Sequence, residues 1–230
     1  MTDASKTIAI VLAAGRGTRA GGIQPKQWQL LLGKPLLAWS VEAFMSHDDI
    51  DGVVVVHHPE DQDLISQVPA AARCVEGGAN RDNSVRCALE ALKDQAPDYV
   101  LIHDAARPCL TQSLISSCIE AMRSHGAAAP AVAVQDTLWR CGDTVETIVD
   151  RSGLWRAQTP QCFSYPLICA AHAAATAQAT DDVQVVRAMG HSVAIVPGDA
   201  DNLKVTVPGD FGRAERILRG RMKLRLGNGF

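Results

Sequence analysis

A rhythm narrows the fold more than any other feature of this chain. Short, continuous apolar runs alternate with segments whose apolar residues recur at helical spacing. Residues 8–13 (IAIVLA), 53–56 (VVVV), 99–103 (YVLIH) and 127–134 (AAAPAVAV) are runs of the first kind. That is the pattern of strands buried on both faces. A short strand is predicted at 73–75 and a late one at 193–196. Between them, 35–47 reads as a helix with Leu36, Leu37, Val41 and Phe44 on one side. Val85, Ala88, Leu89 and Leu92 recur in the same way. So do Leu114, Ile115, Cys118, Ile119 and Met122, behind Thr111 as an N-cap. Further helices are predicted at 166–178, 182–189 and 209–219. Repeated alternation of this kind predicts an α/β fold, a mostly parallel sheet flanked by helices. A chain of 230 residues, 47% of them hydrophobic, can bury one sizeable core.

In such sheets ligands bind at the carboxyl ends of the strands. Three chemically rich segments fall there: the loop after the first strand, residues 104–107, and residues 199–204. The first, LAAGRGTRAGGIQPKQ at 12–27, holds four glycines and the cations Arg16, Arg19 and Lys26. No Asp or Glu occurs between Asp3 and Glu42. Glycines let backbone N–H groups approach phosphate oxygens, and cations neutralise what those groups cradle. The loop is suited to a polyphosphate. A dinucleotide fingerprint competes, since Gly15-x-Gly17-x-x-Ala20 fits its loose form. No acid follows about 20 residues on to bind a ribose, and Pro25 interrupts the helix that the fingerprint requires. Gly33-Lys34 is followed by Pro35, not by the Ser or Thr of a Walker loop.

The net charge of −3 and pI near 6.1 argue against a general nucleic-acid coat, and the four dispersed tryptophans offer no stacking platform. No apolar run has the roughly 18 residues of a membrane helix. The segment 8–14 is too short for a signal peptide core and is followed by Arg16 and Arg19, so the location expected is cytoplasmic. Seven scattered cysteines without a Cys-x-x-Cys pair read as reduced thiols filling core space. His57 and His58 are adjacent on a strand, point to opposite faces and cannot share a metal.

Two regions break the rhythm. Residues 135–163 carry turn signals at Cys141-Gly142-Asp143 and Ser152-Gly153, and read as a β-arm projecting from the sheet. At the other end, Met222-Lys-Leu-Arg-Leu226 alternates apolar and basic residues with the period of a strand. The domain is therefore placed at 1–221, with 222–230 either a frayed tail or the start of a following domain.

The glycine loop resembles the signature of sugar-phosphate nucleotidyltransferases, and its PKQ ending resembles the 2-C-methyl-D-erythritol 4-phosphate cytidylyltransferase family. GGANRDNSV at 77–85, HDAARPCL at 103–110, QDTLW at 135–139, DRSGLWRAQTPQCF at 150–163, TDD at 180–182 and DNLKVTVPGD at 201–210 agree in order. The likeness covers roughly residues 7–219. It implies a Rossmann-like nucleotidyltransferase fold that joins CTP to methylerythritol phosphate and releases pyrophosphate, with Mg²⁺ or another divalent cation.

By that resemblance, Arg19 and Lys26 stabilise the transition state, and backbone groups of Ala13, Ala14, Gly15, Gly17 and Gly78 hold the nucleotide with Ser84. Taken alone, Ser84 reads as a helix N-cap. Ala79 stands where some relatives carry an Asp near the base, which shifts base selection toward backbone and Ser84. Asp104 is implied as the ligand of Mg²⁺ or of a substrate hydroxyl; a lone strand-end Asp could equally cap a turn. The resemblance also implies that Arg107 faces the substrate side and that Lys204, taken alone a solvated lysine, positions the substrate. Thr137, Arg151 and Thr159 complete the acceptor site, the family's arm reaching a second subunit in a twofold dimer. The bland reading of Arg151 is an ion pair with Asp150. RMKLRLGNGF resembles the opening of 2-C-methyl-D-erythritol 2,4-cyclodiphosphate synthase, which some bacteria fuse behind the cytidylyltransferase. The rival readings are a cytidylyltransferase for a pentitol phosphate such as ribitol 5-phosphate, and a nucleotide-binding protein without turnover.

Overall fold

In a computed structural model of the chain, residues 5–16, 24–176 and 178–227 are described. The first strand, β1 (Thr7–Ala13), is followed by a 3₁₀ turn at Lys26–Trp28 and a two-residue hairpin of β2 (Leu30–Leu31) and β3 (Lys34–Pro35). Next come α1 (Leu36–Met45), β4 (Gly52–His57), a 3₁₀ helix at Pro59–Gln67, β5 (Arg73–Glu76), α2 (Arg81–Ala91) and β6 (Tyr99–Asp104). After α3 (Gln112–His125) and β7 (Ala127–Ala133) the chain makes β8 (Leu138–Cys141), β9 (Val145–Val149), β10 (Trp155–Ala157) and β11 (Gln161–Ser164). It continues through α4 (Tyr165–Ala174), α5 (Asp182–Ala188), β12 (Ala194–Pro197) and α6 (Pro208–Gly227).

The pairs β1–β4, β1–β6, β4–β5 and β7–β12 are parallel, whereas β10 and β11 pair antiparallel with their neighbours. Both lie on the side of β7 opposite β12: Ala131 pairs with Ala157 and Pro197, and Ala128 with Cys162 and Ala194. The two faces of the sheet follow the period of the strand. Ala9, Val11 and Ala13 of β1 pack with Leu37, Val41 and Phe44 of α1 and with Leu114, Ile115, Cys118, Ile119 and Met122 of α3. Ile8 and Ile10 pack with Val85, Ala88 and Leu89 of α2 and with Ile168, Ala171, Val185 and Val186 of α4 and α5. Thr111 caps α3 as predicted, its hydroxyl accepting from the Leu114 N–H, and Gly126 ends that helix in the left-handed region at φ 80°.

Two expectations change, and one element is new. The projecting hairpin is only β8 and β9; β10 and β11, predicted as part of the arm, return to the central sheet. The strand pattern at 222–226 is helical, because α6 runs on through Gly227. Phe211, Ala214, Ile217 and Leu218 of α6 pack against Leu36, Ala106 and Cys109. A helix already nucleated and packed extends at far lower cost than a new strand without a partner. The 3₁₀ helix at Pro59–Gln67 was not foreseen.

Candidate active site

Two cavities open at the carboxyl ends of the strands. The larger, about 350 Å³, is bordered by residues 12–16, Lys26 and Gln27, the turn at 78–81, Ser84, residues 104–106 and Lys204. The smaller, about 180 Å³, is bordered by Arg107, Thr159, Gln161, Thr180 and Asp181 among others. Arg81, Asp104 and Lys204 line both. The three segments expected at strand ends therefore converge.

Backbone and side-chain bonds stitch them together. The Ala105 N–H donates to Leu12 O at 3.1 Å, and the Val205 N–H to Ala106 O at 2.8 Å. Lys26 Nζ donates to Val205 O at 2.7 Å, and buried Gln27 donates through Nε2 to Ala13 O at 2.7 Å. Asp61, on the 3₁₀ helix after β4, accepts from Arg16 at 2.9 Å and from the Trp28 indole at 2.8 Å. One buried carboxylate thus ties both described flanks of the glycine loop.

On the side of the larger cavity, Asn80 rather than Ser84 caps α2, its Oδ1 accepting from the Asn83 N–H. Ser84 lies one turn inside the helix, where its hydroxyl donates to Asn80 O at 2.8 Å and accepts from the Gly78 N–H at 3.2 Å. A Cβ on Gly78 would lie 2.4 Å from the Asn83 Cβ, so only glycine lets the turn pack here. A Cβ on Gly15 would meet nothing within 4 Å, since that position borders open space. Ala79 also lines the cavity, beside Gly78.

Asp104 is the electrostatic centre. Its Oδ2 lies 2.8 Å from Lys204 Nζ and 3.7 Å from Arg107 Nε, and its Oδ1 has no hydrogen bond or ion pair among the described residues. Burial opposes ionisation, but Lys204, Arg81 and Arg107 outweigh it and hold the carboxyl at about 2. Arg107 donates to Asn202 O at 2.8 Å and to Ala157 O at 3.3 Å, so it braces the wall of the smaller cavity as well as lining it. The Thr159 hydroxyl is committed too: it accepts from the Asp104 N–H at 3.1 Å and lies 3.0 Å from His103 Nδ1. His103 Nε2 lies 3.2 Å from Arg107 O, an acceptor only, so Nε2 carries the proton. Burial pulls the His103 pKa down to about 4, which leaves Nδ1 to accept from Thr159. A neutral histidine thereby locks the turn from Asp104 to Arg107.

Gly17 and Arg19 lie outside the described residues. Thr137 and Arg151 are exposed on the arm and border neither cavity. The bland pairing of Arg151 with Asp150 is not made: Asp150 instead accepts from the Ser152 N–H at 2.9 Å. All seven cysteines are free and none lines either cavity; burial pushes the Cys109 thiol up to about 12. Among the described residues no three His, Cys, Asp or Glu side chains are grouped as a metal cage, and no helix is long and apolar enough to cross a membrane.

Arg81 is a site residue that the sequence reading did not single out. A signal was present: a cation at the first position of a helix opposes the helix dipole and needs another reason to be there. That reason is Asp182, whose Oδ2 lies 2.6 Å from the Arg81 guanidinium.

Known proteins resemble this chain along nearly its whole length. A 2-C-methyl-D-erythritol 4-phosphate cytidylyltransferase of Cereibacter sphaeroides is 53% identical over 217 residues, which span 92% of this chain and 96% of that one. A bifunctional enzyme IspD/IspF of Rhodospirillum rubrum is 49% identical over 98% of this chain, which spans 60% of that protein. A crystal structure of 4-diphosphocytidyl-2C-methyl-D-erythritol synthase superposes with a TM-score of 0.82 at 34% identity, covering 93% of this chain and 99% of that one. Residues 7–220 match the family described as IspD, 2-C-methyl-D-erythritol 4-phosphate cytidylyltransferase. With the cavities, the cations and the strand-end turns all inside that span, the chain belongs to the 2-C-methyl-D-erythritol 4-phosphate cytidylyltransferase family.

Proposed function

We propose that this chain transfers CMP from CTP to 2-C-methyl-D-erythritol 4-phosphate, giving 4-diphosphocytidyl-2-C-methyl-D-erythritol and pyrophosphate. The observation that carries the reading is the wall shared by the two cavities, formed by Arg81, Asp104 and Lys204. Nucleotide in the larger cavity and sugar phosphate in the smaller would bring the attacking phosphate oxygen and the α-phosphorus together at that wall. Such a reaction needs two polyanions held in line and their charge neutralised.

The backbone at Ala13, Ala14, Gly15 and Gly78, with Ser84, receives the nucleoside and its phosphates. Lys26 supplies a point charge at the triphosphate, and Arg19 is assigned the same task from the family pattern. Lys204 holds the acceptor's phosphate toward the α-phosphorus, while Arg107, braced by two carbonyls, shapes the acceptor side. Thr159 acts by fixing the Asp104 turn.

Asp104 fits a magnesium ligand: ionised, bordering both cavities, with Oδ1 unengaged among the described residues. Mg²⁺ characteristically takes one or two carboxylates and completes its shell with phosphate oxygens and water. When bound it would supply further neutralisation of the phosphate oxygens.

The arm supports a twofold dimer with shared sites. Trp139 and Ile148, paired across it, are 61% and 69% exposed, and Val145 on the same hairpin is exposed too. Apolar surface of that kind marks an interface. In a dimer, Thr137 and Arg151 would serve the neighbouring subunit's acceptor cavity. Likeness to the bifunctional relatives supports a cyclodiphosphate synthase domain behind this one in the native polypeptide; the reading frame beyond Phe230 tests it. The free cysteines support a cytoplasmic location.

The deciding experiment is pyrophosphate release from CTP with Mg²⁺ and one sugar phosphate at a time. Release with methylerythritol phosphate and none with ribitol 5-phosphate is expected. Preference for the pentitol phosphate, or release with neither, would overturn the reading.

A further inference from the structure

Arg81 is held from behind by a buried chain of charges. Asp182 grips it with Oδ2, and Asp182 Oδ1 lies 3.1 Å from His172 Nε2. On its other side His172 Nδ1 lies 3.1 Å from Asp82 Oδ1, and Asp82 Oδ2 accepts from Arg86 Nε at 2.9 Å. The His172–Asp82 contact is close but poorly aligned, so neither atom counts as hydrogen-bonded. Arg81, Asp82 and Arg86 stand on α2, His172 on α4 and Asp182 on α5. The side chains of His172 and Asp182 are 3% and 1% exposed. The Asp182 and Val183 N–H groups donate to Gln161 Oε1 at 3.1 and 3.3 Å, and Gln161 Nε2 donates to Asp181 at 2.6 Å. Gln161 and Asp181 line the smaller cavity, so the same support reaches its wall.

His172 borders neither cavity. It separates two buried carboxylates, each of which is also paired with an arginine. Without the ring, Asp82 and Asp182 would face each other across a gap, and a buried carboxylate left partly unpaired moves or draws in water. Asp182 is the carboxylate that aims Arg81, so its displacement would reach the shared wall.

We propose that His172 is a positioning residue for the transfer reaction, holding Asp182 and through it the Arg81 guanidinium where the acceptor's phosphate is bound. This rests on the functional reading above. The support meets the smaller cavity at Arg81, Asp181 and Gln161, but meets the larger one only at Arg81 on α2. The acceptor side should therefore feel the loss first.

The test is steady-state kinetics of His172→Leu by pyrophosphate release, with thermal unfolding measured on the same protein. KM for methylerythritol phosphate should rise about tenfold, with KM for CTP within about twofold. In an Arg81→Gln background the same substitution should add less than about twofold, because the guanidinium that Asp182 aims is gone and only the Gln161 link remains. A lowered Tm with unchanged KM values would reduce His172 to a structural brace and overturn the proposal. So would an equal rise in both KM values, or full additivity with Arg81→Gln. If His172→Leu does not fold, Asp82→Asn loosens the same chain one link further out and should show the same split at smaller size; unchanged kinetics there overturn the proposal as well. A wild-type chain that releases no pyrophosphate would sink the functional reading and this inference with it, whereas an active wild type with a normal His172→Leu sinks only this inference.

Discussion

Lys204 Nζ lies 2.8 Å from Asp104 Oδ2, joining the segment after β12 to the carboxyl end of β6. The Lys204 side chain is 43% exposed, so it can meet a substrate while Asp104 holds its resting position. Lys204→Met should lower kcat/KM about 100-fold or more, the scale of losing a charge aimed at the reacting centre. The melting temperature should fall only modestly, since Arg81 and Arg107 still face the Asp104 carboxylate. Kinetics and a thermal melt on one preparation check both; a proportionate loss in each would mean that Lys204 is structural.

Lys26→Ala should depress turnover far more than folding. The variant loses the cation at the larger cavity, together with the bond to the Val205 carbonyl. A fall in kcat of about 100-fold is expected. Near-normal turnover would remove Lys26 from the mechanism.

Asp61 should matter to CTP more than to the acceptor. It ties Arg16 to the Trp28 indole, one on each side of the glycine loop. Asp61→Ala leaves the buried indole N–H without its partner, at a cost of about 1–3 kcal/mol. KM for CTP should rise about tenfold, with a smaller change for methylerythritol phosphate. Tryptophan fluorescence and initial rates report the two effects separately; an unchanged KM for CTP would rule out the tether.

Acid should destabilise the protein in two stages. His103 has a folded pKa near 4 against 6.5 for the free group, so between those values the unfolded chain binds the extra proton. Its contribution is whole above pH 6.5 and is lost as pH falls toward 4. Asp104, depressed from 3.8 to about 2, adds a second loss over that lower range. The first stage corresponds to about 3 kcal/mol at about 1.4 kcal/mol per pKa unit. Urea unfolding at stepped pH should show the slope, and His103→Gln should flatten it above pH 4; an unaltered slope would place the titration elsewhere.

Shared sites predict complementation. Lys26→Ala and Arg151→Ala should each be nearly inactive. Mixed and refolded together, they should regain up to about a quarter of wild-type activity, since half the dimers are mixed and each rebuilds one intact site. No recovery would mean that the arm serves its own subunit or none.

Much of this molecule was legible because buried parallel strands write continuous apolar runs, and helices write their caps and faces. Residues 8–13 and 99–103 announce β1 and β6, and Thr111 announces α3. The glycine loop, Asp104 and Lys204 were legible as chemistry since each follows such a strand. The arm was only half legible. Trp155–Ala157 has no apolar run, and it belongs to the sheet because β7 offers an edge to pair with. The end of α6 misled for a related reason: Met222, Leu224 and Leu226 fit a period of two, but the helix upstream was already packed.

By itself, then, the sequence determined the alternation of elements, the order of the strand-end loops and the family, since each depends on neighbours along the chain. Only the tertiary structure decided that Arg81 stands between the two cavities, that Thr159 and His103 lock the Asp104 turn, and that His172 lies between Asp82 and Asp182. Those relations join residues ten or more positions apart on different elements. Their physical cause is burial: a charge or polar group withdrawn from water must find its partner wherever the fold brings one within reach.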